Sequence, residues 1–81
     1  MNAIDLVEMQ TGQQGVVLDI QGGRGMAMRL EALGIRPGAT VTKVSAQIMR
    51  GPVVVSVGNT QVAIGFGMAR RIMVKLLSDK T

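Results

Sequence analysis

The sequence predicts a small, mainly β protein: a five-stranded barrel with one inserted α-helix. Short runs of alternating apolar pattern recur along the chain, bounded by Gly, Pro or Asn. Between the first two runs, one stretch from Arg24 to Gly38 carries helical periodicity instead. The chain also has only 81 residues. That length makes a single domain over residues 1–81, with an expected radius of gyration of roughly 12 Å. About 60–65% of the extended surface is buried in a chain of this size, so the core is thin.

Ile4 to Met9 reads as an apolar-polar lead-in with one turn of helix capped by Asp5. Thr11 to Gly15 is a loop. Val16 to Ile20 predicts a half-buried strand, with Val16, Leu18 and Ile20 on one face and Val17 and Asp19 on the other. Gln21-Gly22-Gly23 then turns the chain into a helix over about 24–34. Met26, Leu30 and Leu33 stand at i, i+4 and i+7, which puts them on one face, toward the core. Gly34 follows at the place of a left-handed cap. Pro37 forbids further helix, and Gly38 permits a tight turn into the next strand.

Ala39 to Ile48 predicts a strand whose alternation slips between Val41 and Val44, the mark of a bulge. Met49-Arg50-Gly51-Pro52 forms a loop. Gly58-Asn59 is a two-residue hairpin turn, and folding about it pairs Val55 with Val62, Val53 with Ile64 and Ser56 with Gln61. A short helical turn near 67–71 precedes a last strand in which Ile72, Val74 and Leu76 alternate with Met73 and Lys75. A polar tail ends the chain. Closing the strands into a barrel removes the edges that an open sheet would expose.

Composition excludes several classes of function. With no Cys and no His, disulfides, zinc-finger spacing, thiol chemistry and imidazole catalysis are all absent. No nucleophile–base pair is present, so an enzyme is not expected. The start, M-N-A-I-D-L-V-E, lacks the basic residues and continuous apolar run of a signal peptide, and a cytoplasmic location is expected. The stretch from Gly51 to Ala69 carries no charge, but Pro52, its glycines and Asn59-Thr60-Gln61 suit a hairpin and not a membrane span. Gly22-Gly23-Arg24-Gly25 lacks the Lys-Ser/Thr of a phosphate loop, and Met28 stands where a dinucleotide fingerprint requires Gly or Ala. Asp5, Glu8, Asp19, Glu31 and Asp79 lack the spacing of metal ligands. No cofactor and no metal site are expected.

The net charge is +4, from nine Lys/Arg against five Asp/Glu. That balance suits an acidic partner surface or a nucleic acid. Phe66 is the only aromatic residue, so bases find no stacking platform, and the basic residues are scattered. A solvated surface that keeps the domain soluble explains such scatter better than a functional basic patch does.

Beyond these physical readings, Arg29-Leu30, Gly34-Ile35 and Pro37-Gly38 resemble the R-L-x-x-x-G-I-x-P-G signature of the FeoA family. Gly12 and Gly15-Val16 are similar to the family's opening G-x-x-G-x-V, and Ala69, Ile72 and Val74 to its closing A-x-x-I-x-V. The family often carries Gly-Asp-Pro in the mid-chain loop, where this chain has Gly51-Pro52 without the Asp. The same module also forms the C-terminal domain of some iron- and manganese-dependent repressors; these 81 residues hold no DNA-binding helical pattern, and the free-standing protein is the expectation. The resemblance implies an SH3-like barrel and a non-enzymatic accessory of bacterial ferrous-iron uptake. Its implied partner is the cytosolic G-protein domain of the FeoB transporter. A small RNA- or ribosome-binding SH3-like barrel is the rival reading, and self-association is left open.

If Met26, Leu30 and Leu33 face the core, then Met28, Arg29 and Ala32 lie on the outward side, with Arg24 one turn earlier and Arg36 just beyond the helix. Methionine and arginine are both enriched at protein interfaces. Arg24, Met28, Arg29, Ala32 and Arg36 are therefore the candidate partner surface, set against an ordinary solvated helix face, with Met49 and Arg50 on the long loop as a second location.

Overall fold

The computed structural model describes residues 3–47 and 49–77. Its strands are β1 (Ala3–Asp5), β2 (Gln14–Ile20), β3 (Thr40–Ala46), β4 (Val53–Val57), β5 (Thr60–Ile64) and β6 (Ile72–Leu76). Helix α1 spans Gly23–Glu31, and the single turn α2 spans Phe66–Ala69. The strands form one antiparallel sheet in the order β1-β6-β2-β3-β4-β5. The Cα radius of gyration is 11.4 Å.

The hairpin pairs as the sequence predicts: Val53 with Ile64, Val55 with Val62, Ser56 with Gln61. Gly58 sits at φ +60°, the left-handed conformation required at the first central position of a type II′ turn. The slip in β3 is a bulge between Lys43 and Ser45 against β4. In β6, Ile72 and Val74 are buried, in step with their alternation.

Other expectations need correction. Among the described residues there are six strands and not five, because Ala3–Asp5 pairs with β6 before the predicted turn begins. Asp5 does cap that turn. Its carboxylate accepts from the Glu8 N–H at 2.9 Å, while Glu8 accepts from the Asp5 N–H at 3.1 Å, a reciprocal capping box. The ladder curls but does not close, so β1 and β5 remain its edges among the described residues. On β2 Val17 is the buried apolar side chain, with Gly15 buried beside it, and Leu18 is 40% exposed. Gly15 and Val17 set the inward face, so Leu18 turns outward by alternation; a second bulge, with Val17 paired to Val74 and Asp19 to Met73, then brings Ile20 and not Asp19 back toward the core. The turn near 67–71 lies slightly earlier, at 66–69. Ile48, the expected end of β3, and the expected polar tail beyond Leu77 lie outside the described residues.

Helix α1 corrects one core assignment. Leu30 is buried and Met26 packs at the edge of the core, but Leu33 is 45% exposed. The helix ends earlier than 34, and a turn follows in which the Ile35 N–H donates to the Leu30 carbonyl and the Gly34 N–H to that of Glu31, both at 2.9 Å. These are the two bonds of a Schellman motif, with Gly34 left-handed at φ +91°. The reversal brings Ile35, fully buried, onto the core side with Leu30 and displaces Leu33 to the surface.

The core lies inside the curled sheet. Val17, Val41, Val53, Val55, Ile72 and Val74 line it from the strands. Leu6, Met9, Leu30, Ile35 and Ala69 fill it from the turns and helices.

Candidate partner-binding surface

Among the described residues no cleft opens, and no three carboxylates come together as metal ligands. The surface itself is therefore where chemistry can be presented. Burying Leu30 fixes the rotation of α1 and leaves Arg24, Met28, Arg29 and Ala32 exposed, Met28 by 62%. Leu33 joins them, and Arg36 is exposed two residues after Gly34. The Gly38 N–H donates to the Val17 carbonyl at 2.8 Å, which holds the Pro37–Gly38 turn against β2 beside the bulged Leu18. The exposed residues along and just beyond α1 thus include Met28, Leu33 and three arginines, with the carboxylate of Glu31 exposed among them.

Met49 and Arg50 belong to a different place. Arg36 leads into the start of β3, whereas Met49 and Arg50 follow its end. A seven-residue strand spans about 20 Å at roughly 3.3 Å per residue. Both loop residues adopt left-handed backbone, φ 63° and 64°, which non-glycine residues rarely occupy. Met49 is 90% exposed, while the Arg50 guanidinium lies 5.6 Å from the centre of the Phe66 ring. The sole aromatic ring is thus half-buried and engaged by an arginine.

Two basic residues join the α1 face that the sequence reading left out. The Gln21 N–H donates to the Arg71 carbonyl at 2.7 Å, so the exposed pair Arg70-Arg71 lies beside the start of α1, near Arg24. Their place follows from the pairing of the end of β2 with the start of β6. No local motif announces it.

Lys43 was also unremarked. It is 4% exposed, and its Nζ donates to the Val7 carbonyl at 2.9 Å and to the Met9 carbonyl. Burial pushes its amine below the ordinary value of 10.5, opposed by the charge of Asp5. Lys43 pins the capped turn onto β3, a positioning and not a binding role. The signal was present: Lys43 stands two residues from Val41, on the inward face of the strand.

Comparison with known proteins decides the family. The FeoA domain matches residues 4–76. The chain belongs to the FeoA family. A Methanocaldococcus jannaschii protein provisionally named Fe(2+) transport protein A is 36% identical over 64 residues, 79% of this chain and 76% of that one. The crystal structure of an iron uptake regulatory protein, FeoA, superposes with a TM-score of 0.85 at 38% identity, covering 95% of this chain and 100% of the other. Stenotrophomonas maltophilia FeoA, solved with zinc and described as a prokaryotic SH3 domain protein, has a TM-score of 0.76 at 29% identity, with 89% of each chain covered. The six-stranded sheet with its two short helices is thus an SH3-like fold, in a family associated with ferrous iron transport.

Proposed function

We propose that this FeoA-family protein is a non-enzymatic cytoplasmic accessory of ferrous-iron uptake, binding the cytosolic GTPase domain of the FeoB transporter through the outer face of α1. The observation that carries the reading is the exposure of Met28 and Leu33 among Arg24, Arg29 and Arg36. A flexible thioether and a leucine can fill an apolar recess. The surrounding guanidinium groups can bind carboxylates bidentately. A module without chemistry of its own acts by binding two states of its partner with different affinity, which shifts the equilibrium between them. The family association with ferrous iron transport supports this choice of partner.

The test is a titration of Met28→Ala combined with Arg29→Ala against the isolated GTPase domain in each nucleotide state. Losing the anchor should weaken binding by about 1–2 kcal/mol, with the melting temperature nearly unchanged because both residues are exposed. Undiminished binding by the folded variant would move the interface away from α1, with Met49 and Arg50 the next place to test.

A further inference from the structure

The two edges of the sheet differ in kind. The β1 edge is three residues long and ends at Asp5. The β5 edge is five residues, T-Q-V-A-I, with neither proline nor charge, and its pairing with β4 runs without a bulge. Sheet edges in soluble proteins are ordinarily blunted by lysine, proline, bulges or shortness. This edge carries none of these. The two-residue turn makes Val57–Thr60 the hydrogen-bonded closing pair, so the main-chain groups of Thr60, Val62 and Ile64 face β4. Those of Gln61 and Ala63 point away from the sheet, and no hydrogen bond among the described residues reaches them.

We infer that a second copy of this chain docks here, β5 against β5 in antiparallel, about a two-fold axis at Val62. The register is self-complementary. Gln61 of each copy meets Ala63 of the other as a hydrogen-bonded pair, giving four main-chain bonds, with the two Val62 residues facing across the axis. Charge favours self-pairing at this place. A chain of net charge +4 repels its own copy, but from Gly51 to Ala69 it carries no charged residue. The exposed side chains on the strand, Thr60, Gln61 and Ala63, are small or neutral and add no repulsion. Two short strands bury less than the roughly 1,000 Å² of a stable interface, so the dimer forms and dissociates readily. The edge is carried by β5 alone and does not rest on the proposed partner.

Sedimentation equilibrium and amide hydrogen exchange of the full chain, from about 20 µM to about 1 mM, test this. The mass should rise toward two copies. Exchange at the Gln61 and Ala63 amides should slow at least ~3-fold with concentration, while the amides of Thr60, Val62 and Ile64 stay protected throughout. Ala63→Lys places a charge at the edge and should weaken association by ~10-fold or more without changing the melting temperature. Gln61→Lys, also at an exposed position, should do the same and serves if the first variant folds poorly. A chain that stays monomeric at the highest concentration overturns the inference. So does a dimer that both variants leave intact.

Discussion

Gly34 is left-handed at φ +91°, and a Cβ built there would stand 3.3 Å from the Val57 Cγ1 atom. Gly34→Val should therefore destabilise the domain by about 1–2 kcal/mol from backbone strain, with further cost if Val57 cannot move aside. An unchanged melting temperature would show that the turn after α1 has another way to close. Lys43 supplies a second test, read through pH. Its folded amine holds the proton less tightly than the unfolded chain, because burial disfavours the charge. Between the lowered folded value and 10.5, the unfolded chain binds more protons, so this group makes stability rise with pH across that window. Lys43→Met removes the dependence. It also leaves the Val7 and Met9 carbonyls without their donor, a loss of about 1–3 kcal/mol near neutrality. Denaturant unfolding of both proteins should show the wild-type advantage growing as pH climbs toward 10.5. A shrinking advantage would mean that the two carbonyls and Asp5 hold the charge better than water does.

Helix α1 separates what local pattern reveals from what it hides. The spacing of Met26, Leu30 and Leu33 identified the helix and its apolar face, and Gly34 identified its end. Leu33 was misplaced because helical periodicity cannot show where the chain leaves the helix. Once the Schellman reversal begins, Ile35 and not Leu33 occupies the core. Strand β2 failed for a related reason: a bulge changes which residues share a face, and the signal for it lies in the partner strand β6. The hairpin was fully legible because its register is fixed by its own two-residue turn. The outward face of α1 was legible too, but the position of Arg70-Arg71 beside it depends on tertiary pairing. Paired alanine substitutions test the corrected helix end. Leu30→Ala should cost about 2–5 kcal/mol, whereas Leu33→Ala should stay within about 0.5 kcal/mol. Comparable losses at the two positions would return Leu33 to the core.

Taken as one body, the protein is a basic module without a cleft among its described residues, and the binding proposed for it would rest on surface and charge. Exposed arginines gather on one side, with Arg24, Arg70 and Arg71 at the start of α1 and Arg29 and Arg36 toward its end. The charge-free hairpin provides none of this field. For a carboxylate-bearing partner, such a distribution accelerates encounter more than it prolongs the complex. Salt should therefore act mainly on the association rate, because exposed charges more than about 8 Å apart are largely screened at physiological ionic strength. Stopped-flow binding to the FeoB GTPase domain between low and high salt should show association slowing by roughly 10-fold while dissociation changes little. Replacing Arg24 and Arg29 together with Gln should reproduce part of that loss at low salt and flatten the remaining salt dependence. Replacing Arg50 with Gln should not, because Arg50 lies beyond the far end of β3 against Phe66. A salt effect confined to dissociation, or one removed by changing Arg50 alone, would mean that the α1 face does not guide the encounter.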